Sequence, residues 1–284
     1  MAKVALVTDS AASLPVSLRE QYDIEVVPLN LVFEDRTYPD GVENGSFYRA
    51  LKSSRRPPTT TSASPGTYLE AFRRAATKAP SLLCVTVASR FSGTYQSASQ
   101  GAQMLAEERP EVAVEVLDSQ SATMAEGFIA VEAARAAAAG ADLEGVVRHA
   151  KEVIPRVGIV AVIDTLEYLA RGGRVPRVQA WASALLSVKP IVELRDQDIH
   201  LVTRARTRQR AVAQLIPILE QRGLRGERVH LCVQHTDAPE DAERLAEEVA
   251  RRLEPSEMAV SEFTLVMGAH TGPGLLGIAY FQEP

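Results

Sequence analysis

The sequence predicts an α/β protein of two lobes: an N-terminal lobe on a mostly parallel sheet flanked by helices, and a C-terminal lobe on a mixed sheet with helices. Two observations predict it. In the first half, short β-branched runs alternate with stretches of helical spacing, the pattern of a parallel sheet covered on both faces. After "GIVAVID" (158–164) the rhythm changes, and "KPIVELRDQDIHLVTRART" reads as an antiparallel hairpin turning at Asp196–Asp198. A chain of 284 residues is long enough for both units. The boundary is placed between residues 160 and 161, with 1–160 and 161–284 forming one two-lobed module and a cleft between the lobes.

Each element has its own signal. "KVALVTD" (3–9) is a strand, and "SLPVSLREQY" is a capped helix with proline in its first turn. "IEVVPLNLVF" is a second strand region, with Pro28 marking an edge or an irregular stretch. "GSFYRALKSS" is a short helix, and "RRPPTTTSASPG" (55–66) is a polar loop too rich in proline and hydroxyls for regular structure. "TYLEAFRRAAT", "LLCVTVAS", Thr94–Arg109 and "VAVEVLDS" continue as helix, strand, helix and strand. The alanine-rich "FIAVEAARAAAAG" is a helix ended by Gly140. In the second half "TLEYLARGG" is a helix stopped by paired glycines, and "RVHLCVQHTD" is a strand. "APEDAERLAEEVARRLE" is a helix with Ala242, Leu245, Ala246, Val249 and Leu253 on one stripe. "MAVSEFTLV" and "LLGIAYF" are the closing strands.

Composition narrows the function. A net charge of −5 without a dense Lys/Arg stripe argues against nucleic acid as the main partner. Two cysteines, Cys84 and Cys232, each inside an apolar run, read as core thiols in a reducing compartment and not as a metal site. No window has the apolar length of a membrane span, and no targeting pattern opens the chain, so a cytoplasmic location is expected.

In parallel sheets, ligands gather beyond the carboxyl ends of the strands. Three such ends, "VTDS" (7–10), "VASRFSG" (87–93) and "LDSQS" (117–121), carry hydroxyls. Ser92 and Gly93 precede a helix whose free N–H groups favour an anion, with Gly93 permitting close approach. A plain helix cap explains Ser92 equally well. For Ser10 and Ser119 the cap or turn reading leads.

"GAHTGPGLLG" (268–277) contains a formal G-x-G-x-x-G, but no long helix follows it, so the dinucleotide reading fails. What remains is a tight Gly/Pro turn holding His270. Two basic stretches stand out. In "ARGGRVPR" (170–177) Arg174 follows a glycine helix stop; "TRARTRQR" (203–210), taken as strand, offers Arg204, Arg206, Arg208 and Arg210 on one face. That face suits a phosphate or an acidic partner, although a solvated surface explains it as simply. No Walker A motif, H-E-x-x-H or G-x-S-x-G occurs, and no base for a Ser92 nucleophile is identified.

The motifs "VTDSAASLP", "PTTTSASP", "SRFSGTYQSA", "LDS", "LEYLARGGRV", "KPIVEL…RART" and "HTGPGLLGIAYF" follow the order and spacing of one family. The chain resembles the DegV family over nearly its whole length. The resemblance implies two α/β lobes around a long-chain fatty acid, and a role as the lipid-binding subunit of a bacterial fatty acid kinase. It implies that a separate ATP-binding subunit, carrying the nucleotide and Mg²⁺, phosphorylates the bound carboxylate. This chain would then be a lipid-binding protein with no cofactor, metal or nucleotide site of its own. By motif, Thr60 and Ser92 would hold the carboxylate, with Gly93 and Thr94 shaping the pocket and His270 near the head group. Arg206, and with it Arg174, would lie on the face toward the kinase or its phosphate. The sequence departs from the family at "TTSAS" (60–64), which lacks the usual Gln and Pro, and at "RDQDI", a hairpin turn without glycine.

Magnitudes divide the labour. An acyl tail contributes about 0.8 kcal/mol per CH₂, so roughly fourteen methylenes give on the order of 11 kcal/mol before binding costs. A hydrogen bond to a carboxylate nets ~1.5–3 kcal/mol. An apolar tunnel between the lobes is therefore expected. The alternatives are a lipid reservoir without a kinase, and a hydrolase or transferase using Ser92 with His270.

Overall fold

The computed structural model describes residues 3–33, 36–41, 47–54, 58–175, 177–179, 181 and 188–284. The first three residues of "RRPPTTTSASPG" (55–57) and Pro176 of "ARGGRVPR" lie outside the described residues.

The first sheet is wholly parallel. It holds β1 (Val4–Asp9), β2 (Glu25–Val27), β6 (Ser81–Thr86) and β7 (Ala113–Asp118) in the order β2-β1-β6-β7. The second sheet holds β8 (Val157–Val162), β9 (Lys189–Arg195), β10 (Asp198–Ala205), β11 (Val229–His235), β12 (Glu257–Glu262) and β13 (Leu276–Gln282). Its order is β10-β9-β8-β13-β11-β12, antiparallel except for the parallel β11–β12 pair. The parallel and mixed sheets anticipated from sequence are both present, as is the β9–β10 hairpin. Its turn places Asp196 at φ 52 and Gln197 at φ 61, so two non-glycine residues take up the left-handed backbone.

A third, three-stranded antiparallel sheet was not anticipated. Pro28 splits "IEVVPLNLVF": its first part is β2, and its second is β3 (Asn30–Phe33), the middle strand of the small sheet. β3 pairs with β4 (Arg36–Pro39) and with β5 (Thr59–Thr61). The hydroxyl run "TTT" is thus strand and not the irregular loop expected, because β-branched threonines fit a short edge as well as a turn.

Helices α1 (Val16–Gln21), α2 (Phe47–Ser53), α3 (Pro65–Ala75) and α4 (Thr94–Glu108) follow the expected order. The alanine-rich helix α5 (Thr123–Ala138) is buried on nearly every side, because it contacts β1 and β6 of one sheet and β8 and β13 of the other. Small side chains let two sheets approach one helix. Gln234 of β11 joins the layers: its Oε1 accepts from Met124 N at 3.0 Å, and its amide donates to Ser261 Oγ at 2.9 Å. One apolar core lies between the sheets and includes Val7, Leu83, Ile129, Ile159 and Ala279. A second, on the far face of the mixed sheet, collects Val160, Val162, Leu245, Val249 and Ile278.

Residues unassigned from sequence form α6 (Leu143–Val153), started by Asp142, whose carboxylate accepts from Gly145 N at 2.9 Å. The chain continues with α7 (Glu167–Gly172), α8 (Arg208–Val212), α9 (Leu215–Gln221), α10 (Pro239–Leu253) and α11 (Leu265–Thr271). The buried stripe of α10 is Ala242, Leu245, Ala246, Val249 and Leu253, as its spacing predicts.

Gly101 tests this packing. A Cβ there would lie 2.8 Å from Tyr68 Cβ and 2.9 Å from the Pro65 carbonyl, so α3 and α4 touch through it. Gly101→Ala is expected to destabilise by about 1–3 kcal/mol in urea unfolding, despite alanine's better helix propensity. A neutral or stabilised variant would contradict the close approach.

Candidate functional site

Between the sheets lies a cavity of about 240 Å³. Its apolar wall follows the strand alternation. Ile159, Ala161 and Ile163 face it from β8 and the residue beyond, with Val192 and Leu194 from β9. Phe263, Val266 and Met267 close it from the chain around α11, and Leu29, Val87 and Phe91 from the N-terminal half. Buried Asp9 braces that side: its carboxylate accepts from Ala11 N at 3.0 Å and Val87 N at 2.8 Å, both wall residues. Burial pushes this carboxyl up to about 7 against the pull of those two bonds.

Polar groups gather at one place in the wall. His270 Nε2 lies 2.8 Å from Thr60 Oγ1. Ser62, two residues along from Thr60, has its Oγ 3.5 Å from Ser97 Oγ and about 4.0 Å from where a Cβ on Gly93 would stand. Ser92 Oγ lies 2.7 Å from Thr94 Oγ1 and accepts from Thr94 N at 3.3 Å. Gly93 is the N-cap of α4 and has no side chain to cap it, and the one side chain that meets the helix start is Ser92, whose Oγ takes the Thr94 N–H. Helix α4 thus brings its positive end to the cavity.

Burial pulls the His270 imidazole down to about 4, and the Arg174 charge adds to the effect. At neutral pH His270 is therefore an uncharged ring with one donor and one acceptor. The end of α7 packs on it: a Cβ at Gly172 would stand 2.8 Å from His270 Nδ1, so a larger residue there would have to displace the ring. Arg174, exposed and donating to Gly172 O at 2.7 Å, supplies the sole charge among the described wall residues.

Thr60, Ser92, Gly93, His270 and Arg174 line the cavity. Thr94 does not; it is buried behind Ser92. Arg206 is exposed just past the end of β10 and outside the cavity wall. Two local expectations need correction. His270 sits in the last turn of α11, not in a Gly/Pro turn, because Gly272 at φ 74 ends the helix only after it. The four arginines of "TRARTRQR" do not share a strand face, because the strand stops at Ala205 and Thr207 caps α8, accepting from Arg210 N at 3.3 Å. Arg208 turns inward instead. It pairs with Asp164 at 2.9 Å and with Asp241 at 2.9 Å, and it donates to the Gly274 carbonyl.

The serine–histidine pair that a hydrolase would use is not assembled: His270 bonds Thr60, while Ser92 bonds Thr94. Among the described residues no group of His, Cys, Asp and Glu is placed to hold a metal, and no helix is long and apolar enough to cross a membrane. Both cysteines are free and buried.

A family model described as "Uncharacterised protein, DegV family" matches residues 3–283. The chain belongs to the DegV family. A DegV domain-containing protein of Streptomyces coelicolor is 37% identical over 279 residues, covering 97% of each chain. Among solved structures, a DegV family protein from Thermus thermophilus with fatty acid binding superposes with a TM-score of 0.89 at 29% identity, covering 99% of this chain and 100% of the other. DegV of Bacillus subtilis, a fatty acid binding protein, superposes with a TM-score of 0.87 at 29% identity over the whole of both chains.

The DegV motifs account for the polar cluster, but the apolar wall was missed from sequence. One signal was available: the two-residue alternation of Ile159, Ala161 and Ile163 against Val160 and Val162, with each set on a different core.

The depressed His270 value has a consequence for stability. A group that binds its proton less readily folded than unfolded contributes stability that is complete above its ordinary value near 6.5. That contribution is lost as pH falls from there toward about 4. His270→Gln is expected to flatten the fall in unfolding free energy across this window, measured by chemical denaturation at stepped pH. Parallel profiles for the two proteins would show that His270 is not buried neutral.

Proposed function

We propose that this DegV protein binds a long-chain fatty acid with its tail in the cavity, and presents the carboxylate to a separate ATP-dependent kinase subunit for acyl-phosphate formation. One observation carries the binding half: an apolar cavity between two sheets whose hydroxyls, imidazole and guanidinium are gathered around the Thr60–His270 contact. The fatty-acid-binding DegV proteins of Thermus thermophilus and Bacillus subtilis, alike in fold over their full lengths, support it.

In this reading the Thr60 and Ser92 hydroxyls donate to the carboxylate oxygens. Ser92 can turn its proton from Thr94 to the ligand while still accepting from Thr94 N–H. Neutral His270 donates from one ring nitrogen without the desolvation cost of a second buried charge. Gly93 opens the N-terminus of α4, and Arg174 at the exposed edge balances the negative charge. The tail supplies most of the affinity, at about 0.8 kcal/mol per CH₂, while the head-group bonds choose orientation. Arg206, exposed and outside the wall, is assigned to the kinase face, with ATP and Mg²⁺ on the partner.

Protein purified from cells is expected to release a long-chain acid on denaturation, detected by mass spectrometry. Thr60→Val and Ser92→Ala are each expected to weaken a long-chain acid about tenfold, near 1.4 kcal/mol, while leaving the corresponding alcohol unchanged. Inability to take up any long-chain acid by lipid exchange would end the binding reading. Arg206→Ala separates the kinase role from a reservoir: lipid retained but acyl-phosphate lost with the kinase subunit supports presentation. Unchanged acyl-phosphate formation removes Arg206 from that role.

A further inference from the structure

The Thr60–His270 contact joins two elements remote in sequence, and the helix that carries His270 packs directly on β3 and β5 of the small sheet. Thr60 belongs to β5, whose register sets Thr60 opposite Leu31 of β3. β3 in turn pairs Asn30 with Pro39 of β4, and Asp40 follows directly. His270 belongs to α11, a helix whose own N-cap residue, Thr264, makes no side-chain capping bond. The Thr264 hydroxyl instead donates to Ser10 O at 3.3 Å and faces the Asp40 carboxylate, while Thr264 N donates to Ser13 Oγ at 3.4 Å.

The cap comes from the small sheet. Asp40 is 8% exposed, and its Oδ1 accepts from Val266 N at 3.3 Å. Its Oδ2 accepts from Ser10 Oγ at 2.7 Å, and Ser10 Oγ itself accepts from Leu29 N at 3.0 Å. The Asp40 backbone N–H closes the circuit on Leu29 O at 2.8 Å. Leu29 and Val266 are both cavity wall residues. From Val266 to His270 is four residues, about one helical turn on the same face. Whatever fixes Val266 N against the small sheet therefore fixes His270 against Thr60.

We infer that Asp40 is a positioning residue, which sets the Thr60–His270 geometry by fastening the start of α11 to the three-stranded sheet. The consequence for ligand recognition rests on the fatty-acid reading of the site; the geometric claim does not. A buried carboxylate with one oxygen on a helix N–H and the other on a serine is a stiff link, since losing either bond leaves a buried polar group unpaired. The amide of Asp40→Asn can reproduce both contacts, accepting from Val266 N and donating to Ser10 Oγ. Leucine, of similar shape, can make neither.

The test uses two readouts on the full-length chain. The first is histidine NMR of lipid-stripped protein. His270 is expected to stay neutral to about pH 4 in the wild type and in Asp40→Asn, and to titrate at least one pH unit higher in Asp40→Leu as its burial is lost. The second is the preference for a long-chain acid over the corresponding alcohol. It is expected to fall at least tenfold in Asp40→Leu and to stay within about threefold of wild type in Asp40→Asn. Should Asp40→Leu fail to melt cooperatively, Ser10→Ala, which removes one half of the link, decides; it is expected to move both readouts in the same direction by a smaller amount. An unmoved His270 titration in a folded Asp40→Leu or Ser10→Ala protein overturns the inference. A wild type that binds no acid overturns the fatty-acid reading alone, because the NMR readout is independent of lipid.

Discussion

Keeping apolar space open between two sheets is the constraint on which this structure turns. Interior volume that the protein's own side chains do not fill costs stability, because the atoms lining it forfeit packing contacts. The surrounding fold has to be strong enough to carry such a cavity, and an apolar occupant would return much of that energy as binding. Here the load falls on α5, buried between both sheets, and on the second core behind the mixed sheet. The wall strands are thereby packed on their far faces and cannot collapse inward cheaply.

Within that frame, the polar groups follow a different logic from the wall. Each comes from a separate element: Thr60 from the small sheet, Ser92 from the loop before α4, Arg174 from the chain after α7, and His270 from α11. None sits in a continuous surface, so their mutual placement depends on long-range links such as those through Asp9, Asp40 and Arg208. Burial then sets their chemistry. A neutral imidazole beside a hydroxyl, at the positive end of a helix, can accommodate a carboxylate without a buried cation.

Much of the fold was legible because it rests on local pattern. The alternation of β-branched runs and helices marks the parallel sheet, and the stripe of α10 matches its burial residue for residue. The polar cluster was legible through motifs: Thr60, Ser92, Gly93 and His270, expected around the head group, line the cavity wall, whereas Thr94 lies behind Ser92, and Arg174, expected on the partner face, lines the wall instead. What escaped depends on partners far along the chain. Whether "TTT" is loop or strand is decided by β3, and β3 exists as a separate strand because Pro28 breaks the run before it. "TRARTRQR" looks like one strand until Thr207 caps a helix, and Arg208 finds its carboxylates at Asp164 and Asp241. The position of His270 on a helix was hidden by the glycines that follow it. No local signal distinguishes Leu29, Phe263 and Leu275 as wall residues from core residues, since both environments select the same apolar side chains.

The most direct test of the account is the orientation of a bound acyl chain. A long-chain acid labelled with carbon-13 at the methylene next to its carboxyl can be followed by isotope-filtered nuclear Overhauser spectroscopy in complex with the protein. Contacts from that methylene to the Thr60 methyl and the His270 ring, with the tail terminus contacting aliphatic wall residues, are the predicted result. A methylene that contacts neither, or a tail terminus found beside Thr60, would contradict it.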